Sequence, residues 1–183
     1  MTANAVSTYE AMSRLLTYPR ADYAEFVEQL PQSLAETDPE ASVALAPFTA
    51  IVNKLSLTEL QELFTRTFDL SPACTLEVGW HLFGEEYARG AFMASLRERM
   101  RLNAVEESGE LPDHLTHLLR LADAVEEEER GKIVGTFLLP AIVKMSKPFE
   151  DSDNPYAHVM KTITGVLERT PGALQAQEEL GHG

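Results

Sequence analysis

The sequence predicts an all-α fold, a single-domain bundle of about seven to nine helices, and three observations carry that prediction. Apolar residues recur at helical spacing along most of the chain, as in Leu57, Leu60, Leu63, Phe64 and Phe68. Helix-start signals stand before those runs, in Ser56 with Glu59, in Thr37-Asp38-Pro39-Glu40 and in Ser71-Pro72. Alternating strand patterns, hairpin turns and internal repeats are absent from the sequence.

Val6, Tyr9, Met12, Leu15 and Leu16 mark a first helix ended by Tyr18-Pro19. Asp22 caps a second, with Tyr23, Phe26, Val27 and Leu30, that should stop at Pro31. A third carries Val43, Phe48, Ile51, Val52 and Leu55, and Pro47 should kink or divide it. Ser56 then opens the stretch to Leu102 that holds the single tryptophan and the single cysteine. Ser71-Pro72 should start a new helix at once, carrying Leu76, Trp80 and Phe83. Gly84 loosens that helix, and Tyr87, Phe92, Leu96 and Met100 continue it.

Beyond the polar connection at Glu106–Gly109, a helix with Leu115, Leu118 and Leu119 begins near Pro112 or Asp113. Glu126–Glu129 reads as its end and the following turn, where four acids oppose the helix dipole and fray it. Ile133 to Met145 is apolar nearly all round, the mark of a central buried helix, bent at Pro140. A last helix, Tyr156 to Leu167, stops at Thr170-Pro171-Gly172. The domain is therefore residues 1–172, and 173–183 is a polar tail open to disorder.

At 183 residues and 44% hydrophobic composition, the chain can bury a core as one domain. A formal net charge of −14 excludes the basic footprint of a nucleic-acid binder. It suits a basic or amphipathic partner reached by electrostatic steering, with Glu126, Glu127, Glu128 and Glu129 as the candidate patch and solubility as the plain alternative. Apolar runs long enough for a membrane span are lacking, and Met1–Ala5 does not read as a signal peptide. With Cys74 alone and no internal disulfide, a cytoplasmic location is expected.

Motifs for catalysis are sparse. The sequence has no phosphate-binding glycine loop, paired-cysteine metal motif or serine elbow. Cys74, expected inside a helix N-terminus, reads as a small core residue rather than a nucleophile. Glu77, His81 and Glu85 fall at four-residue spacing, and His114 and His117 at three. Helix bundles hold metals with such groups, but the paired Glu-x-x-His pattern is missing, so no metal or cofactor is assigned. In Glu110-Leu111-Pro112-Asp113-His114-Leu115, Asp113 can cap the helix. Equally, Asp113 and His114 can stand exposed at its start and bond a peptide.

That same hexapeptide, ahead of a leucine-rich helix, resembles the signature of the NarJ/TorD superfamily, cytoplasmic assembly chaperones of molybdenum-containing respiratory oxidoreductases. Leu63-Phe64, His81-x-x-Gly84-Glu85-x-x-x-Arg89-Gly90, Ser13-Arg14-Leu15-Leu16-x-Tyr18-Pro19 and Tyr156-Ala157 resemble its nitrate reductase delta-subunit branch. Two departures are Leu60 where the family often has tyrosine and a longer segment between Phe64 and His81. The resemblance implies an all-helical protein that catalyses nothing. It implies binding to the N-terminal segment of one catalytic subunit, which is kept competent for molybdenum cofactor insertion before docking or export.

It also implies that Asp113 and His114 are the peptide-recognition pair, presented by Pro112, and that His81 and Glu85 belong to the same peptide-binding site. Trp80 and Phe83 are either apolar anchors of a groove or plain core. Two other readings are a small helical metalloenzyme using His81, Glu85, His114 and His117, and a generic acidic helical adaptor. The client's identity and the oligomeric state stay open.

Overall fold

The computed structural model describes residues 6–181, and among them there is no β-strand. The reading of Met1–Ala5 lies outside the described residues. Ser7 opens α1 (Thr8–Leu15) by accepting the Glu10 N–H at 3.0 Å. α2 (Tyr23–Leu34) is followed by α3 (Pro39–Val52), where Asp38 accepts the Ala41 N–H. α4 (Leu57–Phe64) starts on the complete Ser56–Glu59 capping box and passes into a π-helical turn, Thr65–Asp69. Then come α5 (Val78–Phe83), α6 (Tyr87–Leu102) and α7 (Leu115–Ala124). α8 (Glu127–Ile133) runs through a second π turn, Val134–Leu138, into α9 (Leu139–Ser146). After a 3-10 turn, Lys147–Phe149, α10 (Tyr156–Glu168) and α11 (Ala173–Gly181) follow.

The central position falls to the α8–α9 run and α10, as the all-round apolar pattern predicts. Ile133, Val134, Leu138, Leu139, Ile142 and Met145 are all buried. α10 packs on α3 and α9, α2 on α3, α1 on α7, and α5 on both α6 and α9. Tyr156 gathers the aromatic core, with ring centroids of Phe48, Phe64 and Phe68 at 5.2, 6.0 and 4.8 Å. Each such pair adds about 0.5–1.5 kcal/mol beyond its buried area. Asn154 ties the preceding loop down, accepting the Tyr156 N–H and donating to Thr67 Oγ1.

Several boundaries differ from the sequence reading for identifiable reasons. α2 passes through Pro31, because Leu34 beyond it is buried and the Val27 carbonyl that Pro31 cannot bond accepts Thr49 Oγ1–H at 3.3 Å. α3 likewise runs unbroken through Pro47. A π turn comes immediately before the helix bearing Pro140, closed by the Leu139 N–H on the Val134 carbonyl, so the departure from α geometry precedes the proline.

Ser71-Pro72 does not start a helix. The backbone of 76–78 pairs with 113–115 instead, through Val78 N–H to the Asp113 carbonyl and Leu115 N–H to the Leu76 carbonyl at 2.8 and 2.7 Å. Cys74 is accordingly buried in a turn, not at a helix N-terminus. Gly84 adopts φ +60 and ends α5 outright, so Glu77, His81 and Glu85 do not share one helical face.

The acidic run is also reversed in meaning. Val125 closes α7 and Glu126 is the N-cap position of α8, with Glu127, Glu128 and Glu129 in its first turn. There the carboxylates face the positive end of the dipole, which favours them rather than fraying the helix. Residues 173–181 of the polar tail are helical too. α11 lies against α8 and the second π turn because Gly131 and Gly135 leave no Cβ to collide with the Pro171 and Ala173 carbonyls. Ala173 is fully buried there.

Candidate functional site

The backbone bridge between 77 and 114 fixes the site. Leu111-Pro112-Asp113-His114 is pinned at one end by the Leu111 carbonyl, which accepts the His114 N–H and the His117 Nδ1–H at 3.0 and 2.8 Å. Pro112 is buried and presents no N–H. His114, not Asp113, is the N-cap of α7, accepting the Thr116 N–H through Nδ1.

The expected exposure of Asp113 is overturned. Its side chain has no solvent-accessible surface and meets Arg89, whose Nε–H donates to Asp113 Oδ2 at 2.8 Å. A second Arg89 donor, Nη2–H, reaches Glu77 Oε2 at 2.7 Å. Burial alone would lower the Arg89 pKa, but its bonds to Asp113 and Glu77 prevail and raise it. Gly79 makes the approach possible, since a Cβ there would fall 2.5 Å from Asp113 Oδ2. The other oxygen, Asp113 Oδ1, is buried without a hydrogen-bond partner.

The imidazoles near this cluster are held neutral. Burial first, then the charges of His117 and Arg120, push the His114 pKa down to about 4. Because Nδ1 accepts from Thr116, the His114 proton sits on Nε2, which makes no hydrogen bond among the described residues. His117 is lowered chiefly by burial; its Nε2 accepts from Ser108 N–H and Oγ–H at 2.9 and 3.0 Å. His81, lowered by burial, donates Nε2–H to the Thr75 carbonyl. Among the described residues no three His, Cys, Asp or Glu side chains are grouped to hold a metal.

His114 and Glu77 line a groove of about 700 Å³ between α1, the π turn after α4, residues 75–77 and the start of α7. Phe64, Phe68 and the half-exposed Tyr18 supply apolar surface, and Glu10, Asp69 and Glu110 line it without an ion pair among the described residues. Trp80, Phe83 and Glu85 are not in this lining. Trp80 is half-buried with the Arg89 guanidinium 6.0 Å from its ring, Phe83 packs on Phe92 at 5.3 Å, and Glu85 is exposed beyond Gly84. Glu128 and Glu129 of the acidic run are already paired with Lys132 and Arg99.

Arg89 and Gly79 carry more of this site than the sequence reading gave them. In the sequence Arg89 is a motif position only, and Gly79 belongs to no motif. The one signal for Gly79 was a glycine inside a helical pattern, which marks a close approach. A family model described as nitrate reductase delta subunit matches residues 22–160. A search of curated proteins found no match to the chain.

Proposed function

We infer the function from the premise that this chain belongs to the nitrate reductase delta subunit family. The family is one of assembly chaperones for molybdenum oxidoreductases, not of catalysts. Among the described residues no single helix is long and apolar enough to cross a membrane.

The finer proposal is that the chain binds the N-terminal segment of one catalytic subunit and keeps it open for cofactor insertion. The observation that carries it is the groove beside His114. A neutral imidazole with a free Nε2–H donor lines the same groove as the exposed Tyr18 ring and five carboxylates, Glu10, Asp22, Asp69, Glu77 and Glu110, which outnumber its three arginines, Arg14, Arg20 and Arg120. That combination suits an amphipathic, basic segment, with the donor taking one of its backbone carbonyls. Within this reading Pro112 fixes the backbone that presents His114, Asp113 anchors it from within, and Trp80 and Phe83 offer a second, half-buried apolar surface. Glu126 to Glu129 act at long range, through charge.

Calorimetric titration with a synthetic client N-terminal peptide tests it. His114→Ala should weaken binding about tenfold, while the lost cap costs about 1 kcal/mol of stability. Unchanged affinity in the folded variant would remove His114 from the proposal.

A further inference from the structure

The Arg89 fork is divided in an unusual way. Nε–H and Nη2–H are parallel donors on one side of a guanidinium, the pair that grips a single carboxylate side-on. Here Nε–H goes to Asp113 Oδ2 and Nη2–H to Glu77 Oε2, and Asp113 Oδ1 is left buried with no donor. Of the three groups, Glu77 alone lines the groove, and its side chain keeps 32% of its surface exposed against none for Asp113. The cluster holds two carboxylates and one guanidinium, so it is one positive charge short.

We propose that Glu77 is the docking point for a cationic side chain of the bound segment, and that its capture releases Arg89 to close both donors on Asp113. The inference rests on the reading that a client segment occupies the groove. A lysine or arginine entering beside Glu77 supplies the missing charge, Nη2–H moves to Oδ1, and every carboxylate oxygen of the buried pair is then bonded. Asp113 and His114 are consecutive, so the closed fork holds the His114 donor more firmly once the segment is in place. Arg89 is a positioning residue in this scheme, and Glu77 selects the cation.

The test uses the full chain and a synthetic client N-terminal peptide, alongside peptides in which each Lys or Arg is replaced in turn by Gln. One replacement should weaken binding to the wild type about tenfold and binding to Glu77→Gln less than twofold. Trp80, beside the Arg89 guanidinium, should change its emission with the cationic peptide and not with the replaced one. Arg89→Lys keeps the charge without the fork, so it should bind the peptide more weakly than the wild type and, at saturating peptide, show no emission change. Equal sensitivity to the replacement in wild type and Glu77→Gln, or an Arg89→Lys protein whose emission still shifts, overturns the exchange and leaves the chaperone reading standing. Absence of binding by every peptide overturns both.

Discussion

Arg89→Ala would leave the buried Asp113 carboxylate without its charge partner. Removing one member of a buried ion pair costs roughly 3–5 kcal/mol, far more than the same change at an exposed pair such as Arg101–Glu98. Adding Asp113→Asn to Arg89→Ala should recover part of the loss, because a neutral amide is cheaper to bury; chemical denaturation of the three variants measures it. His114 makes a second prediction. Its folded pKa of about 4 lies below the ordinary 6.5, so between those values the unfolded chain holds the proton and the folded one does not. Stability should therefore be fully present above pH 6.5, fall as pH drops toward 4, and flatten below that. The loss is on the order of 3 kcal/mol, with His117 acting in the same direction. His114→Gln should flatten the profile in that window.

Helices were legible in the sequence where one physical signal dominated. The Ser56–Glu59 box and the apolar run of 133–145 needed only local chemistry. Pro31, Ser71-Pro72 and Glu126–Glu129 misled because the deciding partner is remote or the boundary ambiguous. A threonine on α3 caps the carbonyl behind Pro31, and residues 113–115 draw 76–78 out of a helix. The site shows the same division: Asp113 and His114 stood out as a motif, but burial of Asp113 against Arg89 is a tertiary fact that no spacing reveals. At α11 the deciding feature is small. Gly135→Ala should push the helix off its seat at a cost of about 1–3 kcal/mol and expose 173–181 to protease. Gly90→Ala in α6 has open space around the new methyl group and should stabilise by roughly 0.5–1 kcal/mol. Equal melting shifts in the two variants would contradict the packing account.

For the whole molecule, the proposal that the groove receives a basic and partly apolar segment gives the acidic balance a steering role. Changing Glu126, Glu127, Glu128 and Glu129 to Gln should slow peptide association in stopped-flow at low salt and leave dissociation nearly unchanged. The same change should also lower the melting temperature, since these acids support the start of α8. A higher melting temperature would mean that the run ends a helix after all. Maturation of a molybdenum oxidoreductase is tested by the molybdenum content of the catalytic subunit purified from the host with and without this chain. Loss of the chain should leave a subunit that accumulates poor in cofactor and inactive, with both restored by the wild-type chain. A fully loaded, active subunit in its absence would contradict the account.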